Sequence, residues 1–248
     1  MKTKVFLYIS VVFIMYSCKN NDSDKNLNTN KEKNIVLKKN IEEEYIKRDE
    51  KGNLLIKGNL LNNKKHGIWK CYNQGNLTDV IRYNQDTLMY TLDKNDYIYK
   101  DVFLEKINSY IPIPKYWELN QVFDDANTLL TAVKKCDDSI AYCQNITLRY
   151  EKITSDTFEN FVKDYKNQIQ NSIKSIIIKG FDKNKLYPKD SYILKYYINY
   201  NNTDLAFMTI WIKDNENAII YTASCEKEEL EKNLYLFLQI GNSITKKK

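Results

Sequence analysis

Glycine is scarce in this 248-residue chain, and four of its six glycines fall within residues 52–75. They are Gly52, Gly58, Gly67 and Gly75, and alternating polar and apolar residues separate them. Glycine adopts positive φ at little cost, so this spacing predicts short β-hairpins with glycine in the turns. Gly52-Asn53-Leu54 also recurs as Gly75-Asn76-Leu77. A period of about 23 residues indicates a stacked β-repeat.

Composition excludes several classes of protein. The chain is 43% apolar and 28% charged, with 6 glycines and 3 prolines, so it is globular rather than collagen-like or of low complexity. A single histidine argues against histidine-rich zinc sites and histidine relays. No apolar stretch reaches the roughly 18 residues that a membrane-spanning helix needs. The net charge of +6 is scattered along the chain, so no nucleic-acid partner is expected.

The N-terminus has the organisation of an export signal. Lys2 and Lys4 precede an apolar run over residues 5–16, which ends at Ser17-Cys18. A small residue directly before cysteine at this point resembles a bacterial lipoprotein signal, of a kind found in Bacteroidetes. The resemblance implies that the signal peptide 1–17 is removed and that Cys18 is lipidated. An ordinary secretory signal with an incidental cysteine remains the alternative.

Residues 18–40 follow as a polar segment, rich in Asn, Lys, Asp and Ser, that cannot bury enough apolar surface to fold. We therefore interpret them as a disordered tether between the lipid anchor and the folded part. The expected location is the outer membrane, facing either the periplasm or the cell surface, with the membrane as a partner through the anchor.

Residues 45–92 carry the glycine motif. Gly67-x-Trp69-x-x-Tyr72 and Gly75-x-Leu77 resemble the MORN-type repeats of bacterial YwqK-like proteins. The resemblance implies a β-repeat that serves as a binding scaffold, and some members of that family are described as antitoxins. Because two repeats rarely stand alone, we expect this segment to lean on the domain that follows.

Residues 108–245 are predicted to form an α+β domain in which helices flank an antiparallel sheet. A helix opens at Asp156 with Glu159 as a capping box, and a last helix covers about 226–241. Residues 91–108 are interpreted as a connector with room for a short strand, and the two prolines of 110–117 confine that segment to an edge strand or an entry strand. Strands are expected at 128–134, 145–151, 175–181, 192–200, 204–213 and 217–224.

The order of these elements resembles the PsbP/Mog1/DcrB-like superfamily. The resemblance is carried by Ile111-Pro112-Ile113-Pro114-x-x-Trp117, by Asn145-Ile146-Thr147-Leu148, by the helix from Phe158, and by Tyr221-Thr222-Ala223-Ser224-Cys225. Bacterial members of this superfamily are often lipoproteins, and they are generally binding or accessory proteins. Because their partners differ, no site residues carry over.

Candidate chemistry is sparse. Cys136 and Cys143 flank a loop between two predicted strands and could form a disulfide in an oxidising compartment. Cys71 and Cys225 are expected to be buried thiols. The neighbouring carboxylates Asp124-Asp125 and Asp137-Asp138 are better explained as turn residues than as an acid/base pair. We therefore expect no catalytic residue, no cofactor and no metal site.

The sequence favours a non-catalytic, lipid-anchored envelope protein that binds another protein or an envelope ligand, with an immunity or antitoxin-like role as one variant. The alternative is an envelope hydrolase acting on glycan or lipid. A flat, tyrosine-rich patch near the repeat would favour binding, whereas Asp, Glu, Tyr and Lys clustered in a deep pocket would favour hydrolysis. A purely structural lipoprotein would have neither feature.

Overall fold

The structure is a computed structural model, and it describes residues 42–123, 125–137, 140–185 and 190–246. All of these residues belong to one compact unit, Asn40–Lys248. The signal peptide, Cys18 and the tether up to residue 40 lie outside the described residues.

Sheet 1 is a five-stranded antiparallel meander in which neighbours in the sequence are neighbours in space. Its strands are β1 (Glu42–Arg48), β2 (Leu54–Leu61), β3 (Lys64–Asn73), β4 (Asn76–Asn84) and β5 (Thr87–Leu92). Residues with positive φ make the tight turns between β2, β3, β4 and β5, as in Asn62-Asn63 and Gln85-Asp86. The hairpins predicted for this segment are therefore present.

The prediction that the glycines occupy turns is only half right. Gly52 and Gly75 lie in turns with φ of 82° and 79°. Gly67 also has positive φ, but it lies inside β3, beside an irregularity in the pairing with β2. Gly58 lies in the middle of β2, where a Cβ atom would come within 2.4 Å of the Trp69 ring. Close packing, and not a turn, requires glycine at position 58.

The segment predicted as a connector is structured. It contains two 3-10 turns, Lys94–Tyr97 and Glu105–Ile107, on either side of β6 (Tyr99–Leu104). This strand joins β7 (Ser109–Pro114) and β15 (Thr245–Lys246) in sheet 3, with the order β15-β7-β6.

The proline-containing segment was predicted to be an edge strand or an entry strand, and the edge position is wrong for the strand as a whole. β7 lies between β15 and β6. However, β15 pairs only with Ser109 and Tyr110. Pro112 and Pro114 therefore have no strand on that side, which suits residues that lack an N–H donor.

Sheet 2 is the large antiparallel sheet, with the order β11-β12-β13-β14-β10-β9-β8. Its strands are β8 (Glu118–Asn120), β9 (Thr128–Val133), β10 (Asn145–Lys152), β11 (Ile177–Lys183), β12 (Ser191–Tyr200), β13 (Thr203–Asp214) and β14 (Asn217–Glu226). The helices are α1 (Phe158–Ser172) and α2 (Leu230–Asn242). The predicted α+β fold class, an antiparallel sheet flanked by helices, is confirmed.

Three element boundaries differ from the prediction. Thr157 caps α1 in place of Asp156, because its hydroxyl accepts a hydrogen bond of 3.1 Å from the Asn160 N–H. The last helix begins at Leu230 and not at 226, since β14 remains paired with β13 as far as Glu226. β11 continues through Gly180 to Lys183 by means of an irregular register with β12.

Two apolar cores lie on opposite faces of sheet 2. One includes Phe161 of α1, Trp211 and Ile220. The other includes Tyr221 of β14 and Phe237 of α2, and it continues into sheets 1 and 3. At Gly241 the backbone of α2 approaches Tyr221 so closely that a Cβ atom would lie 2.8 Å from the ring.

The contact between Gly58 and Trp69 yields a stability prediction. Gly58→Ala places a methyl group against the indole and should lower the free energy of unfolding by about 2 kcal/mol, measured by urea titration. Gly180→Ala is the matched control, because this strand glycine has open space and no positive φ. Equal effects of the two substitutions would show that loss of glycine, and not contact with Trp69, causes the change.

Candidate functional site

The predicted repeat residues come together in sheet 1. Gly52 lies between β1 and β2, Gly75 lies between β3 and β4, and Gly58 lies within β2. Gly67, Trp69 and Tyr72 lie on β3. The pairing of β3 with β2 and β4 makes Trp69 the centre of this group.

Trp69 lies flat against the backbone of β2. Its ring covers Gly58, and its indole N–H donates a hydrogen bond of 3.2 Å to the carbonyl of Asn59. The ring of Tyr45 on β1 lies 5.2 Å from the indole, and the ring of Tyr83 on β4 lies 6.1 Å away, edge to face. Trp69 is consequently only 4% exposed, and its neighbours form the accessible surface.

A lysine completes this surface. The Lys65 ammonium lies 5.0 Å from the Trp69 ring centroid and 4.9 Å from that of Tyr83. Its backbone N–H donates a hydrogen bond of 2.7 Å to the Asp86 carboxylate, which holds the β2–β3 turn against the β4–β5 turn. We call Tyr45, Lys65, Trp69 and Tyr83 the aromatic face. Cation–π geometry of this kind stabilises a flat surface on which a partner can pack.

Exposed apolar side chains flank the aromatic face on both edges of sheet 1. Tyr45 and Ile46 lie on β1 and are 36% and 44% exposed. Leu88 and Met89 lie on β5 and are 55% and 41% exposed. Sheet 1 therefore presents apolar groups at both edges as well as at its centre.

Sequence reasoning identified Trp69 but missed Tyr45 and Lys65 as parts of the same surface. Tyr45 pairs directly with Gly58 across β1 and β2, so the missing side chain at Gly58 leaves room for both rings. β1 reads Glu-Glu-Glu-Tyr-Ile-Lys-Arg, with no polar–apolar alternation that would have singled out Tyr45. The contact itself depends on strand register, which the sequence does not specify.

The opposite face of sheet 1 is fastened to the rest of the molecule. Arg82 stacks over Tyr235 of α2 at 4.6 Å and over Tyr90 at 5.7 Å. It also donates a hydrogen bond to the carbonyl of Glu231, with a distance of 2.5 Å. The expectation that the repeat segment leans on the following domain agrees with these contacts.

A second cation on that face is largely buried. Lys70 lies over Tyr97 at 5.4 Å and over Tyr99 at 5.8 Å. Burial, with a smaller contribution from the charge of Lys57, lowers the pKa of Lys70. Burial also raises the pKa of both tyrosines, whose buried hydroxyls have no hydrogen-bond partner among the described residues.

A compact charge cluster lies next to these tyrosines. Lys134 pairs with Asp96 at 2.6 Å and with Asp93 at 3.2 Å, and the Trp117 indole donates a hydrogen bond of 3.0 Å to Asp96. Burial lowers the pKa of Lys134, but the hydrogen bonds and charges of Asp96 and Asp93 outweigh it, so the pKa rises overall. Burial conversely raises the pKa of Asp93, but the Asn95 N–H and Lys134 lower it overall.

The cavity beside this cluster is very small. It has a volume of about 30 Å³, and Asp93, Asp96, Tyr97, Lys134 and Gln144 are among its lining residues. That volume is close to the space one water molecule takes in the liquid, so no glycan or lipid can enter. The cluster therefore has the residue types of an acid/base site but no room for a substrate.

The two loop cysteines are bonded in the structure. Cys136 and Cys143 form a disulfide with their Cα atoms 6.0 Å apart, while Cys71 and Cys225 are free. A polar network anchors the loop to β14, because the Tyr142 hydroxyl lies 2.8 Å from that of Ser224 and accepts a hydrogen bond of 2.8 Å from Asn145. Ser224 in turn donates to Asn145 at 2.9 Å. Because these three side chains hydrogen-bond one another, we interpret the network as one that holds the loop in place.

Only one member of each predicted carboxylate pair, Asp125 and Asp137, is among the described residues. Asp125 pairs with Arg149 at 2.9 Å, and Asp124 and Asp138 lie outside the described residues. Across the part of the chain that the structure describes, no three His, Cys, Asp or Glu residues are grouped so that they could hold a metal ion. In the same residues, no helix has both the length and the apolar character needed to cross a membrane.

Comparison with known proteins gives structural likenesses only. No family model matches the sequence, and no curated protein matches it. Similar solved structures include the cyanobacterial PsbP of Synechocystis, with 10% identity and a TM-score of 0.49, covering 60% of this chain and 92% of that one. LpqN of Mycobacterium tuberculosis, described as involved in cell envelope biogenesis, has 16% identity, a TM-score of 0.45, and coverage of 60% and 94%. A variant of the protein Mog1 has 11% identity, a TM-score of 0.42, and coverage of 57% and 92%.

The charge cluster yields a second stability prediction. Lys134→Met leaves the Asp96 carboxylate, whose side chain is 7% exposed, without its cation, and should lower the free energy of unfolding at pH 7 by about 2 kcal/mol. Lys163→Met is the control, because the exposed Lys163–Glu159 pair should contribute little to stability. Chemical denaturation of both variants measures the difference. Losses of the same size would show that Lys134 is no more important than a surface lysine.

Proposed function

We propose that this chain is a lipid-anchored protein of the bacterial outer membrane that binds another envelope protein through the aromatic face and catalyses no reaction. The anchor is Cys18, following the signal peptide 1–17. The tether 18–40 holds the folded part within reach of the membrane, and its residues 19–34 alone span on the order of 20–25 Å.

The aromatic face is the observation that carries this proposal. Tyrosine and tryptophan contribute disproportionately to protein–protein binding, because they bury large areas with few rotatable bonds. Here Tyr45, Trp69 and Tyr83 are held in place by Gly58 and Lys65 before any partner arrives. A surface that is already ordered loses little conformational entropy on binding.

The alternative, an envelope hydrolase, would need a deep pocket, and among the described residues the larger cleft, of about 430 Å³ and lined in part by Lys152, Asp156 and Glu216, is open to solvent. The cluster of Asp93, Asp96, Tyr97 and Lys134 has suitable residue types, but it borders a cavity of only about 30 Å³. A hydrolase must bring its substrate within hydrogen-bond reach of the acid and the base. Lys134 also already makes direct ion pairs with both carboxylates.

The proposal is tested by affinity capture from crosslinked envelopes of the host, with the lipidated protein as bait. We expect one partner to be recovered near stoichiometrically, and Lys65→Ala or Tyr83→Ala to reduce its recovery about tenfold. Tyr116→Ala is the matched control, because Tyr116 is 52% exposed and lies outside sheet 1. Far-UV circular dichroism confirms that each variant is folded.

A Cys18→Ala bait separates anchoring from binding. Loss of the partner with this bait alone would mean that location brings the two proteins together. Full recovery with Lys65→Ala and Tyr83→Ala would show that the aromatic face is not the binding surface. Failure to recover any partner with the wild-type bait would contradict the binding function itself.

A further inference from the structure

β1 is an unprotected edge strand. It pairs with β2 on one side and is the terminal strand of sheet 1 among the described residues. All seven of its residues are exposed. The one irregularity in its pairing, at Lys47 and Arg48, places the extra residue on β2, so β1 itself is regular. Its outer row of N–H and C=O groups is a template for another strand.

The charges of β1 are arranged in a self-complementary order. The strand reads Glu42-Glu43-Glu44-Tyr45-Ile46-Lys47-Arg48, with acids at the start, bases at the end and tyrosine at the centre. If two copies of this strand pair antiparallel about Tyr45, Glu42 lies opposite Arg48 of the partner subunit. Glu43 then lies opposite Lys47 of the partner subunit, and the two Tyr45 rings face each other.

We infer that β1 pairs antiparallel with β1 of a second copy of this chain, centred on Tyr45, to form a continuous ten-stranded sheet. The arrangement is a two-fold symmetric dimer, in which the same strand contributes to both sides of the interface. It places four pairs of opposite charge and one aromatic pair directly across the two strands. Each such pair stabilises a sheet, whereas like charges in that position destabilise it.

Other registers of the same strand are disfavoured. When the two-fold axis is perpendicular to the sheet, two directly opposed residues have their side chains on the same face of the sheet. The centre of the pairing must therefore be a residue, and the alternative registers are centred on the neighbours of Tyr45. Centring on Glu44 sets the two Glu44 carboxylates opposite each other. Centring on Ile46 sets Glu44 opposite Arg48 of the partner subunit, but it also sets Glu42 and Glu43 opposite Glu50 and Asp49 of the partner subunit, just beyond the end of β1, so repulsive pairs outnumber attractive ones. A parallel pairing aligns glutamates with glutamates along half of the strand.

The charged side chains needed for this pairing differ in their present contacts, and Arg48 already donates one hydrogen bond of 2.9 Å to the carbonyl of Gly52. Glu43 and Lys47 make no hydrogen bond or ion pair with another described residue in the structure. Glu42 and Glu44 do have partners, Asn59 and Lys57, on the neighbouring strand. Because Tyr45 packs against Trp69, the dimer also brings the two aromatic faces onto one side of the enlarged sheet. The dimer extends the proposed binding surface, but it requires neither the envelope partner nor the membrane.

Charge reversal tests the pairing in the purified, lipidated protein in detergent, without any envelope partner. Glu43→Lys and Lys47→Glu each convert two attractive pairs into repulsive ones, so each should raise the dimer dissociation constant about tenfold or more in sedimentation equilibrium. The double variant Glu43→Lys/Lys47→Glu restores opposite charges and should return to within about threefold of the wild type. Lys174→Glu, with the same change in net charge as Lys47→Glu but at an exposed position away from sheet 1, should have no effect.

Cysteine crosslinking determines the register of the pairing between the two β1 strands. Copies carrying Glu43→Cys should form an intermolecular disulfide when mixed with copies carrying Lys47→Cys, and neither should crosslink efficiently alone. Crosslinking of Glu43→Cys copies with each other would indicate a parallel pairing and overturn the proposal. A wild-type protein that is monomeric at every soluble concentration, or a double variant no better than the single variants, would also overturn it. Because no envelope partner is present, these outcomes leave the binding proposal to its own test.

Discussion

Burial of the β13–β14 hairpin on both faces is the constraint around which the fold is arranged. Eight consecutive residues of β13, from Leu205 to Ile212, are buried. Alternate side chains enter different cores, with Met208 and Ile210 on one side and Phe207 and Trp211 on the other. A strand buried on both faces needs a layer on each. α1 supplies one layer, while α2, sheet 3 and one face of sheet 1 supply the other.

That constraint gives sheet 1 its two unlike faces. Val80 and Leu92 enter the same core as Tyr221 and Phe237, so one face of sheet 1 is used for folding. The other face holds Trp69, which belongs to neither core. Each face has a cation over aromatic rings, but Arg82 fastens the sheet to α2 and Lys65 orders a surface. The same interaction thus serves stability on one side and the proposed recognition on the other.

Local patterns predicted what depends on neighbours in the sequence. Apolar runs and alternation located six of the seven strands of sheet 2, and glycine spacing located the hairpins of sheet 1, because these signals are repeated over many residues, whereas the three-residue β8 was not predicted. The cap at Thr157 was missed by one position, since Asp156 and Thr157 are both good caps. The charge cluster could not be predicted, because Asp96 and Lys134 are 38 residues apart and meet only after sheets 2 and 3 have packed. Gly58 was wrongly predicted to lie in a turn for the same reason, because its contact with Trp69 exists only after β2 and β3 have paired.

The edges of the sheets show why β1 is exceptional. β5 and β11 each carry an extra residue that breaks the regular edge, at Met89 and at Lys179. β8 and β15 are only three and two residues long, and β6 is partly buried. Bulges, short strands and burial are ordinary protections against unwanted pairing. β1 has none of these three features. Its charges change from negative to positive along the strand, whereas an edge strand that only prevents pairing would carry charges of one sign. Such an order repels misaligned copies and attracts one register, so the charges of β1 select a partner strand instead of excluding all of them.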